Sequence, residues 1–163
     1  MMDIQKESDL LRNVPMFAKL DSSKLKLLAF TSQCLSFDDG EVLFHQGDRA
    51  DSAYVIMSGE VEILADTGGT RFIAGTLGKN DLFGELAVLT KSPRSATLRA
   101  KGELVALRIS DDIFLKLLAE NPEVALDVMC QLSEKLIRSH HQFEELKGEL
   151  QKLETKTPEA PAG

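Results

Sequence analysis

The sequence predicts an α+β protein: a small antiparallel sandwich or barrel with N-terminal helices and one long C-terminal helix. Three patterns predict it. Apolar residues recur at helical spacing before Cys34, short β-rich runs punctuated by glycine fill the stretch from Cys34 to about Ile109, and a heptad repeat occupies the segment ending near Leu153.

The chain has 163 residues, 43% of them hydrophobic, enough for one domain with a core of its own and too few for a large multidomain enzyme. No apolar run approaches the roughly 20 residues that a membrane span requires. The opening MMDIQKESDLLRNV is too polar for a signal peptide, so a cytoplasmic protein with no membrane partner is expected. Cys34 and Cys130 stand in no CxxC or metal-ligand spacing, which excludes a disulfide framework and a cysteine-bound zinc or iron–sulfur centre; both are expected to be reduced and buried. With 26 acidic against 19 basic residues the net charge is -7, the wrong sign for a nucleic-acid-binding surface.

Taken in order, residues 1–32 are expected to form two short helices, over Glu7 to Phe17 with a break at Pro15 and over Ser22 to Phe30, the second capped by Asp21, Ser22 or Ser23. Residues 33–120 are expected to hold the β structure and a short helix. The runs Glu41 to Phe44, Tyr54 to Met57, Val61 to Leu64 and Leu104 to Leu107 read as strands, with Gly40, Gly47, Gly59, Gly68-Gly69, Gly75, Gly78, Gly84 and Gly102 between them. Turn signals every 8 to 12 residues indicate a sandwich or barrel. After Ser110-Asp111-Asp112, which suits a cap, Ile113 to Ala119 reads as the short helix, and Asn121-Pro122 opens the next one with proline in its first turn.

The long helix, residues 121–154, carries Met129, Leu132, Leu136, Ser139, Phe143, Leu146, Leu150 and Leu153 at alternating spacings of three and four. That is an a/d seam interrupted by Ser139, and a helix of this length outruns a small sandwich, so its far half needs another surface. A parallel homodimer through residues 129–153 is expected. The remaining Thr155 to Gly163, TKTPEAPAG, is proline-rich and polar and reads as a disordered tail.

The stretch from Phe83 to Thr97, FGELAVLTKSPRSAT, carries the chemistry. Gly84 permits close backbone approach to a ligand. Residues 85 to 89 can form one helical turn whose free amides attract an anion. Arg94, nine residues after Glu85, can grip two phosphate oxygens at once, and the Ser95 hydroxyl follows it. A carboxylate at Glu85 beside a phosphate would be repelled unless it accepted hydrogen bonds from a sugar hydroxyl. The constellation suggests a phosphorylated sugar.

This stretch resembles the phosphate-binding cassette of cyclic nucleotide-binding domains, as found in the catabolite activator protein family and in regulatory subunits of cyclic-AMP-dependent kinase. The similarity extends to Phe37, Gly40, Gln46-Gly47-Asp48, Tyr54-Val55-Ile56, Ser58-Gly59-Glu60-Val61 and Gly78, and covers residues 15 to 140. It implies an eight-stranded antiparallel β-roll, jelly-roll-like, flanked by helices. It implies that Glu85 accepts from the ribose 2′-hydroxyl with help from the backbone at Gly84, and that Arg94 pairs with the cyclic phosphate. The amides of Leu86 and Ala87, with the amide and hydroxyl of Ser95, complete the cradle. The base is expected to meet the apolar roll residues Ile63 and Ile73 and, by count from Asn121-Pro122, Ser139 and His140 of the long helix.

Ten residues follow Leu153, too few for the helix-turn-helix domain that transcription factors of this family carry, and Glu120 to Leu153 holds seven acidic and four basic residues, so no direct DNA binding is expected. His45, His140 and His141 lack ligand spacing, and no nucleophile–base pair is evident, so neither a metal, a cofactor nor an enzymatic activity is expected. The expectation is a cyclic mononucleotide receptor, cyclic AMP foremost, that regulates an unidentified effector protein by changing helix geometry. The alternative is a dimeric interaction module whose roll no longer binds nucleotide.

Overall fold

The computed structural model describes residues 4–156. Helix α1 (Ile4–Arg12) ends before Pro15, and a separate 3-10 turn spans Pro15–Phe17. The break expected at Pro15 falls where the 3-10 turn begins, because proline fixes φ and has no N–H to continue the ladder. Helix α2 (Ser22–Thr31) starts at Asp21, whose carboxylate accepts from the Lys24 amide at 2.9 Å. Leu11, Val14, Met16, Phe17, Leu25, Leu28 and Ala29 are buried along these elements, each large side chain contributing about 1.5–3 kcal/mol by leaving water.

One antiparallel six-stranded sheet follows: β1 (Gln33–Phe37), β2 (Val42–Phe44), β3 (Ser52–Thr67), β4 (Thr70–Leu77), β5 (Leu82–Phe83) and β6 (Thr97–Ser110), with α3 (Glu85–Thr90) between the last two. The order is β1-β6-β3-β4, with β2 on β6 and β5 on β3. The two strands expected at Tyr54 to Met57 and Val61 to Leu64 are one strand bent in the middle. Ser52 to Ile56 pair with Ala106 to Ser110, Glu60 to Leu64 pair with Thr97 to Lys101, and the register shifts between them. β6 is used in the same way, its first half beside β2 and its second beside β1. With each long strand counted as two, the roll has the eight segments that the resemblance implies.

Gly59 marks the bend. Its φ is +94°, and a Cβ there would overlap the carbonyl oxygen of Glu103 on the crossing strand. Glycine is needed here for both conformation and space. Because the sheet folds over, residues from both halves reach one core: Tyr54, Ile56, Leu104 and Ala106 from one side, Val61, Leu98 and Ala100 from the other. Ala53, Val55, Leu107 and Ile109 alternate with that set and are buried as well. The opposite face of this stretch is covered by a helix, since α4 (Asp111–Glu120) packs on β3 and β6.

Ser110 occupies the α4 cap position without a side-chain cap bond; the Asp111 carboxylate instead accepts from the Asp112 amide at 2.8 Å. Asn121 closes α4 by donating to the Leu117 carbonyl and accepts from the Lys24 ammonium, both at 2.8 Å. Helix α5 (Pro122–Lys156) has 35 residues and is about 52 Å long. It continues through Thr155 and Lys156, which the sequence assigned to the tail; residues 157–163 of that expected tail lie outside the described residues. The chain forms two compact units, one through Ala125 and one from Leu126 onward. Cys34 is half-buried, and Cys130 on α5 is exposed rather than buried as expected; both are free thiols. Burial raises the Cys34 thiol above its usual pKa and Glu7 raises it further, so it stays protonated at neutral pH.

Candidate functional site

Arg94 lies on the segment between α3 and β6, and the β2–β3 loop clamps its main chain. The Arg94 amide donates to the Asp48 carbonyl and the Gly47 amide donates to the Arg94 carbonyl, both at 2.8 Å. The loop is braced in turn by the Gln46 amide donating to Thr97 Oγ1 at 2.9 Å and by Asp48 Oδ2 accepting from the His45 amide at 2.9 Å. The Gln46-Gly47-Asp48 run is therefore part of the cassette's support.

The Arg94 side chain turns inward and is only 4% exposed. Nη1 donates to the Gly84 carbonyl at 2.8 Å, and Nη2 donates to the Ser52 carbonyl at 2.5 Å. Both acceptors are neutral, so they orient the guanidinium without cancelling its charge. Nε is buried with no hydrogen-bond partner. Such a donor costs about 1–3 kcal/mol. Burial lowers the pKa of Arg94; the fields of Tyr54, Asp51 and Asp48 oppose that and the field of Arg108 adds to it. The group remains cationic at neutral pH.

Gly84 explains how the cation is admitted. Its φ is +77°, and a Cβ there would stand 2.7 Å from Arg94 Nη1 and 3.5 Å from the Ser52 carbonyl oxygen. The close approach read from the sequence is made here by the arginine itself. Glu85, the next residue, opens α3 and is 3% exposed. A carboxylate at this end is favoured by the helix dipole. Ala87 is buried, whereas Leu86 and Ser95 are exposed. The first-turn amides of α3 have no acceptor within the helix.

Asp51 stands just before the Ser52 carbonyl. Burial alone would raise its carboxyl, but the Ser52 hydroxyl at 2.9 Å and the Arg108 guanidinium at 3.0 Å outweigh that and hold it below the ordinary carboxylate range.

An aromatic ring lies below the cation, and two more support that ring. The Arg94 guanidinium carbon is 4.1 Å from the centroid of Phe44. Phe44 leans on Tyr54 at 5.9 Å and on Phe83 at 6.3 Å, and Tyr54 and Phe83 stack in parallel at 5.1 Å. None of these contacts follows from local spacing: Phe44 reads in the sequence as one apolar residue of a short strand.

A family profile described as the cyclic nucleotide-binding domain matches residues 34–121, a range that contains every contact just described to Arg94. The chain belongs to that family. The regulatory subunit of cAMP-dependent protein kinase from Blastocladiella emersonii is 34% identical over 109 residues, covering 66% of this chain and 27% of that protein. Among solved structures, the sensor domain of the transcriptional regulator DNR from Pseudomonas aeruginosa superposes with a TM-score of 0.73 at 27% identity, over 87% of this chain and 94% of that one. The Thermus thermophilus catabolite activator protein gives 0.72 at 27% identity, over 82% and 63%. The chain spans about a quarter of the length of the curated kinase regulatory subunits it matches.

In this cyclic nucleotide-binding domain the remaining expected residues fall on three different elements. Ile63 pairs with Leu98 and Gly75 and packs against the inner core, whereas Ile73 lies beyond a register shift, opposite Leu64, and is 56% exposed. Ser139 and His140 are exposed on α5, in the second compact unit. Among the described residues no cluster of His, Cys, Asp or Glu suits a metal ion, and no helix is long and apolar enough to cross a membrane.

Proposed function

We propose that this domain is a non-enzymatic receptor for a cyclic mononucleotide, with cyclic AMP as its principal ligand. The observation that carries the reading is Arg94: a buried cation held by two neutral carbonyls, with an Nε–H left unmet. An anionic phosphodiester supplies what that group lacks, and a guanidinium grips two phosphate oxygens side-on. In this reading Glu85 accepts from the ribose 2′-hydroxyl beside Gly84, while the amides of Leu86 and Ala87 and the Ser95 amide and hydroxyl complete the cradle. Ile63 and Ile73 of the roll, with Ser139 and His140 of α5, meet the base. No cofactor takes part, and every group assigned here binds the ligand without supplying a base or a metal-bound water to cleave it.

The same reading makes the domain a parallel homodimer through residues 129–153, in which α5 carries the signal to an effector protein in the cytoplasm. The a/d positions support it: Met129, Leu136, Phe143, Leu146, Leu150 and Leu153 are all more than half exposed, an apolar stripe that a second helix would cover. Residues 120–153 carry a net charge of -3, which suits a protein partner better than DNA. Calorimetric titration of the full chain with cyclic AMP and with cyclic GMP, repeated on Arg94→Ala, tests the proposal. A saturable heat in the native chain that vanishes in the variant is expected; no heat with either nucleotide ends the receptor reading and leaves the interaction module.

A further inference from the structure

Phe44 is the contact at this site that backbone geometry does not require. Arg94 is already tied by its main chain to Gly47 and Asp48, and by its two Nη atoms to Gly84 and Ser52. Those bonds locate the ends of the guanidinium but leave rotation of its plane about the line joining them. A ring face 4.1 Å below the guanidinium carbon removes that freedom. The cation is attracted to the π-face, and this attraction is strongest where water is excluded, as it is around a side chain only 4% exposed.

The seat is itself supported. Phe44 rests at tilted angles of 41° on both Tyr54 and Phe83, whose rings are parallel to within 4°. Tyr54 and Phe83 are also register partners across β3 and β5. Phe83 directly precedes Gly84, whose carbonyl holds Nη1, so one ring of the cluster and the carbonyl anchor stand on adjacent residues. We infer that Phe44 is a positioning residue for the phosphate site: it sets the plane of Arg94 so that the edge bearing the unpartnered Nε is presented to the anion. The inference rests on the receptor reading and deepens it. Lysine at position 94 would retain charge but has no plane to seat.

The test uses the full chain and two readouts. In the ligand-free protein, the ring beneath Arg94 displaces the guanidinium Nε–H proton resonance upfield, and Phe44→Leu abolishes that displacement while Phe44→Tyr keeps it. In cyclic AMP titrations Phe44→Leu weakens binding by roughly threefold to thirtyfold, the span set by a cation–π contact. Phe44→Tyr restores affinity to within about twofold, and in the Arg94→Lys background the Phe44→Leu loss largely disappears, since the pair acts as a unit. An Nε–H resonance at its ordinary position in the native chain overturns the inference. So does an equal Phe44→Leu loss with arginine or lysine at position 94, which would mark Phe44 as mere core. If the native chain binds no cyclic nucleotide, the resonance result still stands, and it is the receptor reading that fails, taking the role given to Phe44 with it.

Discussion

The roll and the long helix use apolar residues in opposite ways. In the roll, Ile56, Val61, Leu104 and Ala106 are at most 1% exposed, because two bent strands fold the sheet onto itself and a helix covers its outer face. In α5, Leu136 is 71% exposed and Phe143 and Leu153 are each 62% exposed. The first region satisfies itself within one chain; the second has the pattern of an element built to be completed by another. The positive-φ glycines and the buried cation lie in the first, where surrounding packing can hold them.

Substitutions in the two regions should therefore behave differently. The largest effect is expected for Leu104→Ala, which empties a fully enclosed position and should lower unfolding stability by about 2–5 kcal/mol in urea titrations, independent of protein concentration. Gly84→Ala comes next: the positive φ alone costs about 1–2 kcal/mol, and the new methyl displaces Arg94 Nη1, so cyclic AMP affinity should fall along with stability. Leu136→Ala should change the stability of the isolated chain by no more than about 0.5 kcal/mol, yet shift gel filtration toward monomer. A stability loss for Leu136→Ala like that of Leu104→Ala, seen even in dilute protein, would erase the contrast between the regions. The smallest effect concerns Asp51. Its carboxyl is held below the ordinary range in the fold, so its contribution exists at neutral pH and is lost as the pH falls through that lowered value. Asp51→Asn should be slightly less stable than the native chain at pH 7 and equal to it in strong acid, as followed by thermal melts across pH. The charge is more than half exposed, which keeps the difference small.

How much of this was legible in the sequence follows from the range of each interaction. The nearness of Gly84 to Arg94 was, because the two lie close in the chain and each residue type has a local physical reason. The heptad of α5 was legible for the same reason, its period being local. What escaped depends on pairing between distant strands. The Ser52 carbonyl reaches Arg94 from 42 residues away, and Phe44 arrives beneath the cation only because β2 is laid on β6 in a particular register. In the sequence Gly59 reads as a turn between two strands; it is a bend within one, a distinction set by the Glu103 carbonyl on the crossing strand. Gly75, also read as punctuation, lies inside β4 opposite Ile63.

The central claim is that a charge enclosed within the roll awaits a cyclic phosphodiester. Melting temperature measured against rising cyclic AMP, with native chain and Arg94→Ala side by side, addresses it most directly. A ligand that binds only the folded state adds about 2.7 kcal/mol at a hundred times its dissociation constant, so the native curve should climb with nucleotide while the variant's stays level. A native curve that does not move in millimolar nucleotide, or two curves that climb together, would contradict the account.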